Sequence, residues 1–230
     1  GIKIIETRQF AWPIAKIGWD LHARIFSDGI VFATSNTTGF LLEYVMPALS
    51  KTQRKSAFRV LESNEIPFGY ERHNGNLIHK TAQINWDKVE LGHGNTIGPF
   101  CVIGGEAQHN FYSSVGKVKI GDDNVFHNSV TVSLPTKMSG LTAIGDRCTF
   151  MTSAMIHHDC LIEDEVTMSS NVSAAGNVII MRGANLGMNA AIHQFKVIGS
   201  FSMIGMNACI IKGSIATPGR KLAGVPIRDI

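Results

Sequence analysis

The stretch "MIHHDCLIEDEVTMSSNVSAAGNVIIMRGANLGMNAAIHQFKVIG", Met155 to Gly199, returns an apolar residue at every sixth position: Ile156, Ile162, Met168, Ala174, Ile180, Leu186, Ile192 and Ile198. The phase begins at Ile144 and Phe150 and continues through Ile204 and Ile210. Neither the 3.6-residue period of a helix nor the two-residue period of a strand produces a strict six. A hexapeptide repeat is the signature of a parallel β-helix, in which three short strands make one triangular coil. The same phase reaches back through Val132, Phe126 and Ile120, and a second run appears at Leu91, Ile97 and Ile103.

A smaller residue commonly follows four places after the aliphatic one, as at Cys148, Ala154, Cys160, Val166, Val172, Ala184, Ala190 and Ala208. That position is expected to point into the narrow interior. Cys101, Cys148 and Cys160 occupy it, which makes them small core hydrophobes rather than redox or metal-binding groups. Gly187, Gly199 and Gly205, each just after an aliphatic residue, are expected at turns. Two segments break the repeat, Gly104 to Lys117 with "EAQHNFYSS" and Ser133 to Ala143 with "SLPTKMSGLTA". Both read as excursions from the prism, and loops leaving a rigid scaffold are where ligands are usually met.

Residues 1–75 lack the hexad and read as a small α/β appendage, distinct from a β-helix domain over 76–230. In it "IKIIET" and "GIVFATS" are expected strands, and Thr38 to Ser63 is expected to be helical, interrupted at Pro47. The chain of 230 residues is 44% hydrophobic and 17% charged, enough to bury a core. Its formal charge of +3 is too dilute for a nucleic-acid partner but suits an anionic substrate. The four cysteines form no CxxC pair, and no apolar run has the length of a membrane span, so a cytoplasmic protein is expected.

If three hexads close one coil, residues 18 apart stack about 4.8 Å from one another. Gly176 then lies over His158, one coil along. A histidine able to take a proton beside a glycine whose N–H is open to a developing oxyanion is the pair that acyl transfer requires. Asp159 follows His158 and is placed to orient the imidazole. His157, Ala175 and His193 share the next register, so the two histidines line one edge. A metal site from His157, His158, Asp159 and Cys160 is disfavoured, because neighbouring residues point apart and Cys160 falls in the interior register.

The motifs "IHKTA", "IGPFCVIG", "SGLTAIGD", "HHDC", "AAGNV" and "AIHQFKVIGSFSMIGMNA" occur in an order that resembles the hexapeptide-repeat acyltransferases, most nearly the UDP-N-acetylglucosamine O-acyltransferase family of lipid A synthesis. This resemblance spans Leu77 to Lys212. It implies a left-handed β-helix, contrary to the usual right-handed crossover, assembled as a homotrimer with sites between subunits. It implies His158 as general base, Asp159 as its partner, Gly176 as oxyanion donor and His193 in substrate binding, and His157, Asn177, Gln194 and Met206 are the further candidate substrate contacts. No cofactor or metal is implied. The donor would be an acyl thioester on acyl carrier protein or coenzyme A, and the acceptor a nucleotide-activated amino sugar. Methionine at the position of Met206 implies a short acyl chain, of about ten carbons or fewer.

Departures from the family keep two other readings open. Asn177 and Met155 stand where the family carries histidines, and the ending "GVPIR" looks like that of acetyl-CoA-dependent sugar acetyltransferases. One alternative is therefore a sugar N-acetyltransferase of the sialic-acid or bacillosamine type, whose members also carry a small α/β domain, "HDC" and "AGNV". The other is a non-catalytic hexapeptide scaffold, against which the retained His158, Asp159 and Gly176 argue.

Overall fold

The computed structural model describes residues 66–214 and 216–230 throughout, together with the backbone of 22–26 and 29–33. The chain divides into two compact units, Gly1–Glu65 and Ile66–Ile230. In the first, His22–Phe26 and Gly29–Ala33 form an antiparallel pair. The expected strand in "GIVFATS" is thus present, whereas "IKIIET" and the helix expected over 38–63 lie outside the described residues.

The second unit is a left-handed parallel β-helix. Its three faces are sheets of ten, seven and six strands, most only two residues long. In the coil that carries the histidines, Thr149–Phe150 lies on the first face, Met155–Ile156 on the second and Leu161–Ile162 on the third. The strand pairs are in register at the expected spacing of 18: Thr149 opposes Thr167, Met155 opposes Ser173, and Leu161 opposes Ile179. Upstream, Thr96 pairs with Val125 and Val125 with Thr149, because residues 106–116 and 134–140 are looped out of the prism.

Alternation within each two-residue strand explains the hexad. The second residue points inward, so Phe150, Ile156, Ile162, Met168, Ala174 and Ile180 are buried. The position four later is buried too, with Cys101, Cys148, Ala154, Cys160 and Val166 all 1% exposed or less. The thiols there donate to corner carbonyls, Cys101 to His127 at 2.8 Å, Cys148 to Glu163 at 3.1 Å and Cys160 to Ala175 at 3.1 Å. Burial pushes the first two up to about 11 and Cys160 to about 12. In the earlier coils the same register holds a ladder of buried asparagines: Asn76 Oδ1 accepts from the Asn95 amide, Asn95 Oδ1 from Asn124, and Asn124 Oδ1 from Cys148.

Gly187, Gly199 and Gly205 sit at the corners as expected, and they do so without left-handed dihedrals. A Cβ at Gly187 would sit 2.8 Å from the Met206 nitrogen, and one at Gly199 would sit 2.4 Å from the Pro218 nitrogen, so close passage of the next coil is what excludes side chains there. The left-handed dihedral falls two residues later and is taken by non-glycine residues, among them Asp159, Asn171, Asn177, Asn189 and Phe195, with φ of 59 to 61°. The open ends of the stack are closed by antiparallel strands, Tyr70–His73 on Asn76–His79 at one end and Arg228–Asp229 on Lys221–Ala223 at the other.

Candidate active site

His158 and Asp159 lie on the edge between the second and third faces, each only 7% exposed. The imidazole Nδ1 is 2.8 Å from Asp159 Oδ2. That oxygen also accepts from Thr136 Oγ1 at 2.7 Å. Oδ1 accepts from the Thr136 and Ser139 amides, each at 3.1 Å, and from Ser139 Oγ at 2.5 Å. Burial pushes the Asp159 carboxyl up, but the Ser139, Thr136 and His158 hydrogen bonds outweigh it and hold the group below its ordinary value. An ionised carboxylate is an acceptor only, so Nδ1 carries a proton and Nε2 is the nitrogen left to exchange one.

The coil register places Gly176 against this ring. The Asn177 amide donates to the His158 carbonyl at 3.0 Å. A Cβ on Gly176 would meet His158 Cε1 at 2.2 Å and Nε2 at 2.5 Å, so only glycine leaves the imidazole its place. The Gly176 N–H makes no hydrogen bond to another described residue. Together these groups provide a base, its orienting acid and an unpaired backbone donor within one turn of the prism.

The residues that hold this arrangement come from the two excursions. Residues 134–140 carry Thr136 and Ser139, which grip Asp159, while Thr142 Oγ1 accepts from the Asp159 amide at 3.0 Å. Residues 106–116 bring His109 onto the His158 ring, with centroids 5.1 Å apart and planes at 77°. The two excursions are joined by the Ser114–Thr136 bridge and by the Val115 amide donating to the Pro135 carbonyl at 2.9 Å. Thr142 falls in the small-residue register, 18 residues before Cys160, whereas Thr136, Ser139 and His109 carry no periodicity. The interruption of the hexad was the signal for them, and it located the segments without naming the residues.

Among the other candidates, His157 is half-buried and its pKa is lowered, first by burial and then by the neighbouring His158. His193 stands two coils along the same edge, exposed, with Nδ1 3.1 Å from the Gln194 carbonyl. Asn177 is at the left-handed corner beside Gly176, its amide 3.8 Å from Met138 Sδ, and Gln194 follows Gly176 in the stack. Met206, 62% exposed, lies between the first-face strand Met203–Ile204 and the second-face strand Cys209–Ile210. It is therefore on a different edge from His158, and a single chain does not bring the two together. Cys160 turns inward to the Ala175 carbonyl, away from the imidazoles.

No family model matches the chain. The acyl-[acyl-carrier-protein]–UDP-N-acetylglucosamine O-acyltransferase of Synechocystis is 39% identical over 118 residues, 51% of this chain and 43% of that protein. The enzyme of the same name from Sinorhizobium fredii is 32% identical over 120 residues, again 51% of this chain and 44% of the relative. The crystal structure of LpxA, a UDP-N-acetylglucosamine acyltransferase from Bacteroides fragilis, superposes with a TM-score of 0.65 at 28% identity, covering 68% of this chain and 60% of that one. The chain is similar to the LpxA-like hexapeptide-repeat acyltransferases over half its length in sequence and over two thirds of it in fold. It spans less than half the length of the two curated LpxA-like relatives it matches. In this chain the dyad, the glycine and both excursions all fall within residues 66–230, the unit that carries the hexads.

Proposed function

We propose that the protein transfers an acyl group from a thioester to a hydroxyl or amine of a nucleotide-activated amino sugar, in a lipid A-type pathway. The observation that carries this reading is the His158–Asp159 pair facing Gly176 of the next coil. His158 Nε2 removes the proton of the attacking group as its oxygen or nitrogen bonds to the thioester carbonyl. Asp159 stabilises the imidazolium that forms, and the Gly176 N–H donates to the oxyanion. Collapse of the tetrahedral species breaks the carbon–sulfur bond, and the imidazolium returns its proton to the departing thiolate.

His157, His193, Asn177 and Gln194 line the same edge and are the residues we assign to substrate contact. Acyl carrier protein is the donor named for the Synechocystis and Sinorhizobium relatives, and UDP-N-acetylglucosamine is their acceptor. We extend both to this chain. The reaction as proposed needs no cofactor and belongs in the cytoplasm.

The separation of Met206 and His158 on different edges supports a homotrimer. A neighbouring copy related by a threefold axis can set its Met206 edge against the His158 edge, completing three equivalent sites with one interface. Sedimentation should give a trimer, and a fully active monomer would contradict the shared site.

The test of function is an assay offering acyl carrier protein thioesters and coenzyme A thioesters side by side with UDP-N-acetylglucosamine and its 3-amino analogue. Acylated nucleotide sugar from the carrier-protein donor supports the proposal. Exclusive use of acetyl-CoA assigns the chain instead to the sugar N-acetyltransferases, and no product from any pair favours a scaffold.

A further inference from the structure

His109 lies outside the hexads, yet its ring is held by hydrogen bonds and by two ring contacts. Its Nδ1 accepts the Phe111 and Tyr112 amides, each at 3.1 Å, which leaves the ring proton on Nε2. One side stacks on Tyr112, with centroids 4.7 Å apart and planes within 10°, and Lys137 Nζ sits 4.6 Å from the centre of that same phenol ring. The same imidazole meets His158 in a T-shaped contact at 5.1 Å. His158 is thus confined by Asp159 at Nδ1, by the Gly176 backbone under Cε1 and Nε2, and by His109 across the ring.

We infer that His109 is a positioning residue for the acyl-transfer step: its ring, carried on the first excursion and backed by Tyr112, holds the His158 imidazole in the orientation that aims Nε2 over Gly176. This rests on the acyltransferase reading for its kinetic consequence, but not for its structural one. Asp159 alone constrains His158 at one atom, about which the ring can still rock. A second aromatic contact removes that freedom, and displacements of about 1 Å at a catalytic group are enough to cost roughly 100-fold. His109 itself need not touch substrate.

Two substitutions separate the ring from the loop that carries it. His109→Asn keeps an acceptor near the position of Nδ1 for the Phe111 and Tyr112 amides but removes the ring. His109→Phe keeps the ring and removes the acceptor. In the full chain, His109→Asn should lower kcat by about 10-fold while the KM for the nucleotide sugar stays within about twofold. Carbethoxylation of His158 by diethyl pyrocarbonate, mapped by peptide mass spectrometry, should rise several-fold. His109→Phe should retain most of kcat and keep His158 protected.

Parental kcat and parental His158 reactivity in His109→Asn would overturn the inference. So would a raised KM with unchanged kcat, which would make His109 a substrate contact. A Phe variant as slow as the Asn variant, with His158 equally reactive, would also refute the role of the ring. Should the parent protein transfer no acyl group to any acceptor, the functional reading fails, and the carbethoxylation comparison still decides whether His109 holds His158.

Discussion

Replacing Gly176 with alanine isolates the position of the imidazole from every other part of the proposed chemistry. The backbone N–H at 176 remains, so an oxyanion donor is not deleted. The glycine does not use a left-handed dihedral, so alanine brings no backbone strain. What changes is a methyl group that would lie 2.2 Å from His158 Cε1 and 2.5 Å from Nε2. Restoring ordinary contact at about 3.4 Å moves the ring by roughly 1.2 Å, a distance over which the 2.8 Å hydrogen bond to Asp159 does not survive. A misplacement of this size costs about 100-fold in rate, or about 2.7 kcal/mol of transition-state stabilisation. The fold loses at most one hydrogen bond to a charged group, about 1.5–3 kcal/mol. Initial rates at saturating acceptor, with thermal unfolding of the same preparations, measure both quantities. A folded Gly176→Ala protein with parental kcat would show that the register of His158 over Gly176 has no part in the reaction.

Three further outcomes follow from named residues. The Asp159 carboxyl titrates below its unfolded value of about 4, so its contribution to stability is present above that pH and is lost as the pH falls through the folded pKa. Asp159→Asn should flatten this acid limb in thermal scans, and it should slow turnover less than loss of His158 does. Met206→Gly should shift donor preference from acyl chains of about ten carbons or fewer towards longer ones, each methylene admitted gaining about 0.8 kcal/mol of burial, and an unchanged competition profile would show that Met206 does not bound the chain. Iodoacetamide at pH 8 should leave Cys101, Cys148 and Cys160 unmodified in the native protein, because burial both shields these thiols and keeps them protonated. Labelling of Cys160 before unfolding would contradict its place in the interior.

The hexad made the prism legible because each coil repeats one local rule, an inward aliphatic residue and an inward small residue in every six. The same rule delivered the site's centre, since a spacing of 18 put Gly176 over His158 and His157 in line with His193. It also carried information that only the structure made plain: Met206 is not a multiple of 18 from His158, and it falls on another edge. What the sequence did not show was the support of the dyad. Thr136, Ser139 and His109 reach the site along excursions whose paths depend on tertiary contacts such as the Ser114–Thr136 bridge, which no period encodes. The corners were hidden for a different reason. Asp159 and Asn177 adopt φ near +60°, which no residue type in the hexad announces, because the fold over-determines the turn whatever residue fills it.

The central claim is that His158 is the base of an acyl transfer to a nucleotide sugar. It is tested most directly by incubating acyl carrier protein thioester and UDP-N-acetylglucosamine with the parent chain and with His158→Ala, and by following acylated nucleotide sugar by mass spectrometry. The side chain lies outside the hydrophobic core, so the variant should fold as the parent does. Product is expected from the parent, and a rate reduced on the order of 100-fold or more in the folded variant. A folded His158→Ala protein that makes the same product at the parental rate would contradict it.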